Sequence, residues 1–194
     1  MEIAIIGWGS LIWCPGALQI KSCWHRDGPT LPIEFARISL DQRLTLVIHP
    51  GSKDQRTLWA VALSQKLEAV CANLRDREGT TPQLIHSATA AGEFSDGVSA
   101  DVRKAIAEWL GQHHDIDACV WTGLTSNWRE KKKADFSVAS AIQHLKTLPG
   151  PARPRAQEYV QNTPAQIQTA ARAAIREHFG WSDAELSSVL FVRD

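Results

Sequence analysis

Strand-like runs crowd the first part of this chain and helical periodicity dominates its last third. That order restricts the fold more than any single motif. Residues 2–6 form a short apolar run ending at Gly7, the pattern of a buried strand. Residues 32–38, 43–49 and 57–63 are rich in β-branched and large apolar residues and read as further strands, with Pro50-Gly51-Ser52-Lys53-Asp54 as a hairpin-type connection between the last two. Ser64 can cap a helix through Arg77, whose Leu67, Val70, Cys71 and Leu74 recur at one-face helical spacing. Residues 83–88 and 117–124 are strand candidates on either side of a helix over 101–112, which places Val102, Ile106, Trp109 and Leu110 on one face. Beyond them Ser137 can cap a helix through Leu148, with Val138, Ala141, Ile142 and Leu145 inward, and Pro149-Gly150-Pro151 breaks it. Thr163-Pro164 signals the start of a helix that stops at Gly180, and Ser182 with Glu185 forms a capping box for a last short helix. Early strands and late helices predict a single α+β domain over residues 1–194 rather than a doubly wound fold.

A chain of 194 residues can bury a substantial core. Its acids and bases balance at 21 each, so bulk charge gives no reason to expect a nucleic-acid or acidic-membrane partner. The local run Arg129-Glu130-Lys131-Lys132-Lys133 reads as a solvated turn. Eight tryptophans stand against one tyrosine, so several of the large rings must form core or pocket walls. Cys14, Cys23, Cys71 and Cys119 show no CxxC spacing, which disfavours a structural zinc site and fits a reduced, cytoplasmic setting. His113-His114-Asp115 with Cys119 makes a poor metal cluster, because adjacent histidines point apart, and no metal is expected. No basic segment followed by a long apolar stretch opens the chain, so no signal peptide is expected, and no apolar run is long enough to span a membrane. No sequence feature fixes an oligomeric state.

Two segments carry candidate chemistry. Gly7-Trp8-Gly9-Ser10-Leu11-Ile12-Trp13 follows the first strand directly. Glycines allow backbone N–H groups to converge on an anion, and Ser10 adds a hydroxyl. A dinucleotide fingerprint and a nucleophile elbow both need glycine where Ile12 stands, and the Lys-Ser/Thr ending of a P-loop is missing. The second segment is Leu74-Arg75-Asp76-Arg77-Glu78-Gly79. Glu78 continues the inward stripe four residues after Leu74 and sits at a helix C-terminus, where the dipole disfavours a carboxylate. Burial and dipole together raise its pKa and make it a candidate general acid/base. The competing reading is an ion pair with Arg75 or Arg77, or simple exposure. Tyr159 alone reads as core or rim, and His49 and His86 as packed strand residues.

Together these segments resemble the γ-glutamyl cyclotransferase-like superfamily, in particular its glutathione-specific, ChaC-like branch. That branch opens with a strand and a Gly-Tyr-Gly-Ser-Leu-Ile-Trp loop, matched here by residues 7–13 with Trp8 in place of tyrosine. It also has a helix ending Leu-x-x-Arg-Glu before glycine, matched by residues 74–79, although Thr80-Thr81 stand where the branch often has Gly-Tyr. A weaker echo is Gly150-Pro151 followed by Glu158-Tyr159-Val160. The resemblance implies a mixed β-barrel flanked by helices. It implies a small-molecule γ-glutamyl substrate converted to 5-oxoproline and a released amine or peptide, as in glutathione metabolism, with no metal or organic cofactor. Glu78 would be the acid/base, and Gly7, Trp8, Gly9, Ser10, Leu11 and Tyr159 would hold the substrate. The alternative is a non-catalytic module on the same fold that binds a small molecule or a protein.

Overall fold

The structure, a computed structural model, describes residues 1–186 and 190–191. Its centre is a parallel pair, β1 (Ile3–Gly7) beside β7 (Ala118–Thr122), with Ile3 opposite Ala118 and Ile5 opposite Val120. Every residue of both strands is buried. Two covered faces explain why β1 reads as a continuous apolar run instead of an alternation. On the outer sides β5 (Leu58–Val61) pairs antiparallel with β1, and β6 (Ile85–Thr89) pairs antiparallel with β7. A second, antiparallel sheet sets β2 (Thr30–Ile38) between β3 (Leu44–Ile48) and β4 (Asp54–Arg56).

The fold is therefore a mixed α+β single domain, but the expected barrel is not formed: the described strands make two open sheets. Thr57 shows why. It is the only residue between β4 and β5, yet those strands lie in different sheets. The Thr57 N–H donates to the Pro29 carbonyl at 3.1 Å, its hydroxyl donates to the same carbonyl at 2.6 Å, and its own carbonyl accepts from Gly28 N–H at 3.1 Å. Backbone groups that a closing ladder would need are thus committed to residues 28–29. The free edge of β5 is covered instead by His25, which exchanges two backbone hydrogen bonds with Trp59, at 2.7 and 3.1 Å.

Residues 50–54 do not form the expected hairpin between neighbouring strands. β3 and β4 flank β2 on opposite sides, and β5 joins β1. Helix α1 (Leu67–Glu78) packs on β6 and β7, burying Val70 and Leu74. It begins later than expected, because the Ser64 hydroxyl accepts from Lys66 N–H in the preceding turn. Helix α2 (Ala100–Leu110) buries Val102, Ile106, Trp109 and Leu110 as the sequence predicts. The basic run expected as a turn is a one-turn helix, α3 (Trp128–Lys132), anchored by the buried Trp128, with Arg129 paired to Asp135. Helix α4 (Val138–Lys146) starts from the expected cap: Ser137 and Ser140 bond each other's backbone reciprocally.

The helix that bears Tyr159, α5 (Ala152–Asn162), was not expected from the breaker before it. Thr163 ends this helix, its hydroxyl donating to the Tyr159 carbonyl at 2.9 Å, so α6 (Ala170–Phe179) starts at Thr169 rather than Thr163. The Thr169 hydroxyl accepts from Arg172 N–H at 3.1 Å. Past α6, Trp181 stacks on Phe179, the Arg153 guanidinium lies over both rings, and Ala184 N–H donates to the Gln161 carbonyl at 2.8 Å. That segment fastens α5 in place. Residues 181–186 hold no helix, and residues 187–189 of the expected last short helix lie outside the described residues.

Candidate functional site

A cavity of about 560 Å³ opens where β1 and β7 end, within the size range of small-molecule sites. Five stretches distant in sequence wall it: residues 8–11 after β1, the α1 terminus at 77–80, the β2–β3 hairpin with Arg37, Asp41 and Arg43, the chain from Thr122 to Lys131, and Tyr159 from α5. The carboxyl end of a parallel strand pair is a common place for a ligand site, because the chain must turn away there and leaves a crevice.

The loop is built to keep its first N–H groups open. Ile12 N–H donates to Gly9 carbonyl at 3.0 Å and Cys14 N–H to Ser10 carbonyl at 2.9 Å. Among the described residues, the N–H groups of Gly9, Ser10 and Leu11 meet no such acceptor. Trp8 is buried, and its indole N–H donates to the Leu46 carbonyl at 3.2 Å, tying the loop to β3. A side chain on Gly9 would place its Cβ 2.5 Å from the Tyr159 hydroxyl oxygen, so the phenol lies directly against this backbone. Gly7 is different. It does not line the cavity; it lies against the Trp24 ring, 3.0 Å from where a Cβ would stand, and its role is packing.

Glu78 is the last residue of α1, as its place before Gly79 predicts. Gly79 takes the left-handed conformation (φ 60°) and its N–H bonds the Arg75 and Asp76 carbonyls. The Glu78 side chain is 15% exposed and lines the cavity. The ion pair of the competing reading is formed, with Arg77 Nη1 donating to its Oε1 at 2.6 Å. Arg75 takes no part; it pairs with Asp76. Burial raises the Glu78 pKa above the usual carboxylate range, against the opposing pull of Arg77.

Tyr159 reaches the cavity and is 5% exposed. Its hydroxyl oxygen receives a long contact, 3.4 Å, from Leu46 N–H, so its own proton remains available to a ligand. Burial pushes its pKa up to about 12, which keeps it a neutral donor. Trp13 packs edge-on against its ring and the Arg43 guanidinium lies over it at 5.4 Å. Asp41 fixes that guanidinium, accepting from Arg43 Nε at 2.9 Å. Arg37, Asp41 and Arg43 were not singled out in the sequence, and no local motif marks them; the β2–β3 hairpin brings them to the rim.

The other sequence candidates lie elsewhere. Cys119 and Cys71 are buried and half-buried, each with its thiol pKa raised by burial, as core residues. His113 bonds the Trp109 carbonyl and Asp27, and no metal-holding cluster of His, Cys, Asp and Glu exists among the described residues. No described helix is long and apolar enough to cross a membrane. Comparisons with family models, with curated proteins and with solved structures find no match to this chain.

Proposed function

We propose that this chain is a γ-glutamyl cyclotransferase-like enzyme that converts a γ-glutamyl peptide or amine to 5-oxoproline and the released amine. The observation that carries the reading is the position of Glu78: a buried carboxyl of raised pKa on the wall of a cavity whose other walls include residues 8–11 and Tyr159. The substrate's α-amine attacks its own γ-carbonyl carbon, forming the ring C–N bond. The nucleophile is tethered, so ring closure gains from high effective molarity. Glu78 accepts the proton that the amine sheds and delivers one to the leaving nitrogen as the γ-amide C–N bond breaks. The open N–H groups of Gly9, Ser10 and Leu11 suit a carboxylate or a developing oxyanion. Tyr159, held neutral, supplies one further hydrogen bond. No step calls for a metal or cofactor, and a cytoplasmic setting belongs to the same proposal.

The test is 5-oxoproline release from glutathione, γ-glutamyl dipeptides and γ-glutamyl amines, with wild type beside Glu78→Gln. Product from wild type alone is expected. Equal product from both proteins would sink the mechanism. The Arg77–Glu78 ion pair favours a second reading, in which the carboxylate is structural and the cavity only binds. In that case γ-glutamyl compounds raise the melting temperature without being turned over.

A further inference from the structure

Arg77 does more than neutralise Glu78. Its guanidinium is 14% exposed and makes three hydrogen bonds to two separate pieces of chain. Nη1 donates to Glu78 Oε1 at 2.6 Å, and Nη2 donates to Ser10 Oγ at 3.1 Å and to the Cys14 carbonyl at 2.7 Å. Ser10 and Cys14 are the two ends of one turn, closed by Cys14 N–H on the Ser10 carbonyl. The guanidinium therefore spans that turn and grips the carboxylate with its other nitrogen. The αL cap at Gly79 stops the helix directly after Glu78 and leaves both side chains facing the loop. An ammonium group cannot replace this, because only a planar fork presents donors to both sides at once.

We propose that Arg77 is the positioning residue of the site: one side chain that ties the Glu78 carboxylate to the turn at residues 10–14, so that acid/base group and loop are set together. The catalytic consequence rests on the cyclotransferase reading; the structural one does not. Glu78 has other charged or titratable neighbours around the cavity, namely Tyr159 from α5, Asp41, Arg43 and Arg37 from the β2–β3 hairpin, and Glu130 with Lys131 from α3. It is Arg77, and none of these, that is hydrogen-bonded to the carboxylate among the described residues. Loss of Arg77 removes the pull that opposes burial at Glu78 and frees the turn at the same stroke.

The experiment is an NMR titration of the Glu78 side-chain carboxyl carbon in wild type, Arg77→Met and Arg77→Lys, with amide exchange read at Ile12 and Cys14. In Arg77→Met the carboxyl should titrate higher by about one pH unit or more, and both amides should exchange roughly tenfold faster, the loss of about one hydrogen bond's worth of protection. In Arg77→Lys the titration should return toward wild type while exchange stays fast, since charge is restored and the fork is not. Arg77→Lys also decides the matter if Arg77→Met does not fold. An unchanged Glu78 titration in Arg77→Met, unchanged exchange at Cys14, or rescue of both by lysine overturns the proposal. If wild type releases 5-oxoproline, the acid limb of kcat/KM must move with the NMR value in Arg77→Met, and a static limb also overturns it. Absence of product from wild type defeats the reaction, while titration and exchange still decide the role of Arg77.

Discussion

Arg172, buried, and Arg77, half-buried, both spend their guanidinium on hydrogen bonds, and they do opposite things. Arg172 on α6 is 1% exposed and gives its guanidinium to carbonyls: Pro164 at 2.7 Å, Ile167 at 2.6 Å and Thr163 at 2.5 Å, with Asp183 at 3.1 Å. It ties α6 to the chain just past α5 and does not line the cavity. Arg77 makes fewer bonds, on a cavity wall, and one of its partners is a carboxyl whose charge burial opposes. A buried charge surrounded by fixed carbonyl dipoles is a structural clamp. A half-buried charge beside a group that can gain or lose a proton, with space in front of it, is the makings of a site.

The comparison can be broken at either end. The largest effect is expected at Glu78. Glu78→Gln should lower 5-oxoproline release by about 10³-fold or more while the far-ultraviolet circular dichroism stays that of wild type; turnover within a few fold of wild type would move the acid/base role elsewhere. Arg172→Met should cost about 3 kcal/mol in urea unfolding, because the carbonyls of three buried residues lose the guanidinium donor, while Asp183 keeps its pair with Arg176. Molecules of that variant that remain folded should keep their turnover, and a selective loss of activity with stability intact would erase the distinction between the two arginines.

Gly9→Ala tests the close approach between loop and phenol. The new methyl would stand 2.5 Å from the Tyr159 hydroxyl oxygen, so a loss of about 2 kcal/mol in stability, or a displaced ring with weakened ligand binding, is expected. The smallest effect is a slope. Glu78 holds its proton more tightly folded than unfolded, so its contribution to stability is full below the ordinary carboxylate pKa and is lost as pH rises through the raised value. The difference in unfolding free energy between wild type and Glu78→Gln should therefore move against wild type as pH climbs from acid to neutral. A difference that moves the other way would mean that Arg77, not burial, dominates the carboxyl.

Much of this frame is legible in the sequence. Residues 2–6, the stripe of α1 and the buried face of α2 announced themselves by pattern, because each owes its form to local periodicity. Glu78 was legible too, through its distance from Leu74 and its place before Gly79. What escaped was held by tertiary contact. β4 is three residues, Asp54, Gln55 and Arg56, with nothing strand-like in their composition; it exists because β2 offers a ladder, and the buried Gln55 is held by Gln168 N–H at 2.7 Å. α5 hid behind Pro149 and Pro151, although Pro154 sits in its first turn, where proline is tolerated, and Ala152, Ala156, Tyr159 and Val160 fall on one face. Closure into a barrel was an expectation of family resemblance, and Thr57 with its ties to residues 28–29 decides against it. The Arg37–Arg43 wall has no signature because its residues meet the loop only through the hairpin.

The pairing of β1 with β7 has a consequence in time. Ile3 finds its neighbour in Ala118, so the strand that carries the loop cannot be completed on its parallel side until most of the chain has left the ribosome. Such long-range pairing is slow to form and leaves an unsatisfied apolar strand waiting. Tyr159 is made later still, and the segment around Trp181 that braces its helix later again. The walls of the cavity are therefore complete only after α5 has been made.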